Sequence, residues 1–197
     1  MSWWEASSTL YSRIACLMAL TALVLGCSSV APVATPFTRG AVDYSVVPEE
    51  ALRALAAEIE GEIAQGNREP SVENREGLVV DGEAVVQAIR TRAARAELVS
   101  TFLEGGHGWE RRDGRIWVLR SEAYKADSTS RSRDLDALMI NGENRDRWTL
   151  YETIIDDSDL PSKALSAIEE IFFEARFTLM APGQKYENVE GDPVVKE

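Results

Sequence analysis

Residues able to do chemistry are sparse in this chain, and their spacing narrows what they can do. His107 is the one histidine among 197 residues. It stands in Gly105-Gly106-His107-Gly108, a glycine-rich run that predicts a turn, and reads as an exposed structural residue rather than a ligand or general base. The same run lacks the spacing and the lysine of a phosphate-binding loop. Asp156-Asp157-Ser158-Asp159 offers carboxylates to a cation, but without the following glycine and distant glutamate of a calcium loop. Its place between two helical patterns predicts capping instead. Acidic residues are plentiful, so a carboxylate pair for glycoside hydrolysis stays open, although no pair stands out. The remaining candidate is apolar. Phe173, Phe177 and Met180 form a second strip on the last predicted helix, beside its core stripe. Left uncovered, this strip is a partner groove or an acyl-chain site. The alternative is that both strips are buried, one against the second helix and one against the third.

The N-terminus carries the most specific signal. Arg13 precedes an apolar run from Ile14 to Leu25, too short to span a bilayer and of the form of a signal-peptide core. Val24-Leu25-Gly26-Cys27 resembles the bacterial lipobox. That resemblance implies diacylation of Cys27 and removal of residues 1–26. The acyl chains would then hold the protein to a membrane, as one chain alone does only marginally. Ser28 and Ser29 follow, with no aspartate, which in the usual sorting pattern implies the periplasmic face of the outer membrane. Cys16 would leave with the leader, so the mature chain would hold no free thiol or disulfide, and a Cys/His zinc site is excluded. No cofactor is implied. Taking 26 residues from 197 leaves 171, enough for one sizeable core or two small units.

The formal charge is −12, and it makes the chain a poor ligand for nucleic acid or an anionic membrane surface. The charge is unevenly spread. Residues 49–83 and 152–197 each carry a net −7, whereas residues 90–120 carry +3. A basic middle between acidic flanks predicts internal pairing, with a partner site as the alternative.

Four helical patterns must position these groups. Residues 27–47, with Pro32 and Pro36, read as a flexible tether. Residues 48–79 read as an N-terminal helix and loop. Pro48, Glu49 and Glu50 suit a first turn, Leu52, Leu55, Ile59 and Ile63 make a helical stripe, and Gly66-Asn67 ends it. A second helix runs from about Gly82 to Leu103 with Asp81 as its expected cap, and its stripe is Val85, Ile89, Ala93, Ala96, Val99 and Leu103. Ser121 to Arg133, polar and rich in Ser and Arg, reads as an exposed connection. The third helix is expected from Asn141 to about Asp156, with Trp148, Tyr151 and Ile155 on one face. The fourth follows Pro161 to Met180 with Leu165, Ile168, Phe172, Ala175 and Leu179 as its core stripe. Pro182-Gly183 stops it.

Two stretches resemble each other. WERRDGRIWV, from Trp109 to Val118, aligns without a gap with YENVEGDPVV, from Tyr186 to Val195, at an offset of 77 residues. Asp113-Gly114 reads as a two-residue hairpin turn. Trp109, Asp113, Gly114, Tyr186 and Gly191 become structural determinants, and Arg111 and Arg112 are expected to meet acidic neighbours. One hairpin alone is marginal in water, so the two are expected to lie side by side in one small sheet covered by helices two and four. The fold class is therefore α+β, predominantly helical, with about four helices and two short hairpins.

Residues 80–197 also resemble the YdbL-like family of bacterial periplasmic proteins. Gly108-Trp109-Glu110 with Asp113-Gly114 is similar to that family's Gly-Glu-x-x-Asn/Asp-Gly element. Asn141-Gly142-Glu143-Asn144-Arg145 with Tyr151 is similar to its Asn-x-Glu-Arg/Asn-Arg…Tyr segment. Ala181-Pro182-Gly183-Gln184-Lys185-Tyr186, Gly191 and Val194-Val195-Lys196 are similar to its ending, although the usual terminal Trp is missing around Pro193-Val194. The resemblance implies a non-enzymatic accessory role in the envelope, beside AsmA-like proteins of lipid transport. Two further readings stand beside it: a binding module for a lipid or other apolar ligand, and a cell-wall hydrolase.

Overall fold

The computed structural model describes residues 41–197, so Cys16, Cys27 and the lipobox lie outside the described residues. The described residues form one compact unit. They comprise five α-helices and four short strands: α1 (Glu49–Ala64), α2 (Glu83–Glu104), β1 (Gly108–Glu110), β2 (Ile116–Val118), α3 (Glu122–Asp127), α4 (Ser130–Asp157), α5 (Leu165–Leu179), β3 (Lys185–Glu187) and β4 (Pro193–Val195). The fold is α+β and mostly helical, as expected.

Helix α1 forms where its stripe predicts. Leu52, Leu55, Ala56, Ile59 and Ile63 are all buried, and Gly66 turns the chain with φ 71°. It shares one core with α2, the second half of α4 and α5, and is no separate module. The end of the expected tether also belongs to this unit. Asp43 caps a 3-10 turn at Tyr44–Val46, Tyr44, Val46 and Val47 pack on the core, and the Arg53 guanidinium covers the Tyr44 ring at 5.5 Å. At the start of α2 the cap position is Gly82, with no side-chain bond. The residue expected there, Asp81, instead donates its backbone N–H to Asn74 Oδ1 (3.1 Å).

The largest correction concerns the third expected helix. Residues 121–133 are mostly exposed, as expected, but they are helical rather than a plain connection, and Asn141 is not a cap. Ser121 accepts from Tyr124 N–H to start α3. Thr129 accepts from Ser132 N–H to start α4, which runs 28 residues straight through Asn141. The first part of α4 has almost no apolar stripe, with Leu135 and Leu138 exposed, so hydrophobic periodicity misses it. Hydroxyl caps hold its entry instead. At the far end, Asp159 takes a left-handed φ of 53°. Leu160 N–H then reaches Ile155 O at 3.0 Å and Asp159 N–H reaches Asp156 O at 3.4 Å. This is a Schellman stop, with aspartate in place of the usual glycine. The acidic run therefore ends a helix through its backbone rather than capping by its carboxylates.

The two hairpins do lie side by side. The sheet order is β2-β1-β3-β4, with β1 and β3 parallel and Glu110 opposite Tyr186. Each outer pair is antiparallel in the same register: Trp109 faces Trp117, and Tyr186 faces Val194. The turns also match. Gly114 N–H bonds Arg111 O and Arg111 N–H bonds Arg115 O; Gly191 N–H bonds Asn188 O and Asn188 N–H bonds Asp192 O. Both are three-residue loops with a glycine at positive φ (79° and 90°), not the two-residue turn expected at Asp113-Gly114. A β-carbon at Gly114 would also stand 2.7 Å from the Tyr151 ring, so both backbone and space demand glycine.

The repeat extends to the helices. Each half reads helix, helix, hairpin: α1, α2, β1–β2 and then α4, α5, β3–β4. The first helix of each half packs on the second helix of the other, α1 on α5 and α4 on α2. Asn144 of α4 also closes the free edge of β2. It accepts from Ile116 N–H (2.8 Å) and donates to Ile116 O (3.0 Å), so the edge strand offers no open pair there.

Candidate functional site

Six charged side chains meet where the two halves cross. Glu60 comes from α1, Arg92 from α2, Glu110 from β1, Glu143 and Arg147 from one face of α4, and Arg176 from α5. All six are buried. They form a closed ring in which Arg and Glu alternate. Arg92 donates to both Glu60 oxygens (3.1 and 2.8 Å) and from Nε to Glu143 (2.8 Å). Arg147 donates from Nε to Glu143 (2.8 Å) and from both Nη atoms to Glu110 (2.7 and 2.8 Å). Arg176 closes the ring, giving Nη1 to Glu60 (3.1 Å) and Nε to Glu110 (3.2 Å). Its Nη1 also reaches the Tyr151 hydroxyl at 2.8 Å. Arg95 and Asp146 extend the network outward, 2.5 Å apart.

Burial alone would discharge these groups, and partners reverse that. Desolvation opposes the charge on Glu143 and Glu110. The guanidinium groups of Arg92 and Arg147 beside the first, and of Arg147 and Arg176 beside the second, nonetheless hold both carboxyls below the ordinary range. Arg92 and Arg147 lose to desolvation and regain more from the carboxylates, and Arg176 regains more from Tyr151 first and then from Glu110 and Glu60, so all three pKa values rise. Tyr151 is raised, chiefly by burial. Glu110, Glu143, Arg92, Arg147 and Arg176 are thus held charged. Such an assembly is weak as a source of stability, because dehydrating six ions offsets most of their attraction.

One side of the ring is the floor of a cavity of about 320 Å³. This volume lies within the range of small-ligand sites. Its walls include Ile63 of α1, Ala96, Val99 and Leu103 of α2, and Leu179 and Met180 at the end of α5, with Gln184 after them. Arg176 Nη2 is buried and has no hydrogen-bond partner among the described residues.

The expected residues are distributed around this site rather than within it. Phe173 is buried under the Arg112 guanidinium, 5.1 Å from its ring centroid. Phe177 packs on Tyr186 at 4.7 Å and lies under Lys196 Nζ. The second strip of α5 is therefore covered by the hairpins, not by another helix and not open to a partner. Met180 alone reaches the cavity. Leu179, expected in the core stripe, is half exposed at the rim. His107 is half-buried rather than exposed, and its ring lies 4.7 Å from that of Tyr124. Trp109 stacks edge-on with Trp117 at 6.3 Å, and Arg111 covers both rings. Asp113 Oδ1 accepts from Arg115 N–H within the turn (3.1 Å). Arg111 pairs with Asp113 and Glu187, and Arg112 with Glu170, so the basic middle is spent on internal pairing as expected.

The ring itself was missed. Its signal is a charge inside an apolar stripe: Arg92 between Ile89 and Ala96, Glu60 beside Ile59, Arg176 between Phe172 and Leu179. Among the described residues no cluster of three or more His, Cys, Asp or Glu could hold a metal ion, and no helix is long and apolar enough to cross a membrane. No family model, curated protein or solved structure matches this chain. The resemblance to YdbL-like proteins thus rests on the quoted motifs alone.

Proposed function

We propose that this chain is a non-enzymatic binding module of the bacterial envelope, tethered through acylated Cys27 at the periplasmic face of the outer membrane. Residues 41–197 take up a small, mainly apolar molecule in the cavity above the charged ring. The observation that carries this reading is the cavity itself: apolar walls over a polar floor. A concave, mainly apolar space with a few convergent polar groups is the usual form of a small-ligand site. The ring argues against hydrolysis. A glycosidase needs a carboxyl kept protonated near neutral pH, and Glu110 and Glu143 are drawn the other way. The test is solvent extraction of protein purified from its own membranes, followed by mass spectrometry of the extract. A small molecule at near-equal stoichiometry is expected, and a persistently empty protein would contradict the proposal. An accessory role beside an AsmA-like protein rests on the family resemblance. A pulldown from native membranes that recovers such a partner supports it, and recovery of no envelope protein counts against it.

A further inference from the structure

The two ends of the sheet are built alike and finished differently. Both hairpins share register and turn, yet only the first has its outer strand closed, by Asn144 bonding both backbone groups of Ile116. At the other end β4 pairs with β3 alone. Lys196 N–H bonds Gln184 O (2.9 Å), and Asn188 N–H bonds Asp192 O (2.9 Å). Bonded and non-bonded pairs alternate along an antiparallel ladder. Val195, opposite Lys185, and Pro193, opposite Glu187, are therefore the non-bonded positions, and their backbone groups point away from β3. No side chain of the described residues bonds those groups. Proline has no N–H, so the edge offers one donor, at Val195, and an acceptor at each of the two residues. Both residues are exposed.

The surrounding charge decides what can pair there. Glu190 and Asp192 precede the strand and Glu197 follows it, all three exposed. Two copies of β4 side by side would bring these acids together, in a chain of net charge −12. The outer strand of the first hairpin in a second copy cannot serve either, because Asn144 already holds it. The arginines of that hairpin's turn are spent as well, Arg111 on Asp113 and Glu187 and Arg112 on Glu170.

We infer that the β4 edge receives a short extended segment of another protein, in which basic and apolar side chains alternate, as a fifth strand of the sheet. Its backbone accepts from Val195 N–H and donates to Val195 O and Pro193 O. Its basic residues meet Glu190, Asp192 and Glu197, and its apolar residues lie beside Val195. Backbone bonds of this kind give affinity, and the alternate side chains choose the partner. Pro193 keeps the ladder short, so a long strand of arbitrary sequence gains little at this edge. The inference stands apart from the cavity and adds a protein partner to the small molecule proposed there.

The experiment uses the full chain, ¹⁵N-labelled and held in nanodiscs of zwitterionic lipid, with empty nanodiscs as the blank. Two peptides are titrated: acetyl-Lys-Val-Arg-Val-Lys-Val-amide and its acidic counterpart acetyl-Glu-Val-Glu-Val-Glu-Val-amide. Hydrogen exchange at Val195 N–H is the readout, and Lys196 N–H, already bonded to Gln184 O, is the reference. The basic peptide should bind about tenfold tighter than the acidic one, and slow exchange at Val195 about tenfold while Lys196 changes far less. Val195→Pro removes the outward donor and no bond of the fold, and should weaken the basic peptide about tenfold. Glu190→Gln, Asp192→Asn and Glu197→Gln together should bring the two peptides to equal affinity. Equal affinity in the parent protein would overturn the basic partner. Binding without slowed exchange at Val195, or undiminished in Val195→Pro, would overturn the edge; if that variant fails to fold, the exchange rates decide. A dimeric mass with Val195 N–H protected before any peptide is added would give the edge to a second copy and overturn the inference. Failure of both peptides to bind would overturn it too, and leave the cavity reading standing.

Discussion

At the scale of single residues, the ring makes an asymmetric prediction. Removing one member leaves its partners buried and uncompensated, which costs about 3–5 kcal/mol. Arg147→Met leaves Glu110 with Arg176 alone and takes one guanidinium from Glu143, so a loss in that range is expected from urea denaturation; a change under about 1 kcal/mol would contradict the network. Acid should act through the same groups. Glu110 and Glu143 have folded pKa values below the ordinary 4.5. Their contribution is therefore complete above that value, erodes as pH falls below it, and is gone once pH has passed their folded values. Urea midpoints should hold from pH 7 to about 5 and fall steeply below 4; a flat profile down to pH 3 would sink this account. Glu110 and Glu143 stand in the motifs of the family resemblance, but none of the six reads as a site residue from sequence, because an isolated charge ordinarily lies on a solvated face. Arg92 and Arg176 nevertheless occupy core positions of their helices. Opposite charges at such positions on several helices are the pattern to look for.

At the scale of elements, the hairpins were legible and the start of the long helix was not. The repeat at an offset of 77 appears in the structure as equal registers and equal turns, because Gly114 and Gly191 each supply a left-handed residue that few others accept. Gly114→Ala must hold φ 79° and push on Tyr151, so a loss of at least about 1 kcal/mol is expected. An unchanged melting temperature would show that the turn is freer than drawn. The second half of α4 forms where the third helix was expected, and its first eleven residues escape an apolar pattern because their entry is held by a polar cap. Thr129 caps that first part, while Glu143, Asn144 and Arg147 anchor the expected second half to the ring and to β2. The first part buries only a little apolar surface, so an apolar pattern starts the helix eleven residues late.

At the scale of the whole molecule, each half lends its first helix to the other, and the cavity lies over the ring at that crossing. Its walls come from α1, α2 and the end of α5, so no single segment of sequence contains the site. The strip Phe173, Phe177 and Met180 pointed near it, but only Met180 arrives there. Anchoring is a separate property. Cys27→Ala should abolish lipid labelling and leave soluble or unprocessed protein; membrane fractionation with labelling intact would refute acylation at Cys27. The central claim is that the cavity over the ring holds a small molecule. Native mass spectrometry of the protein from its own membranes, compared with an Ala96→Phe variant that fills the cavity, tests it most directly. The account predicts a bound mass in the parent protein that is absent from the variant. The same bound mass in both proteins, or none in either, would contradict it.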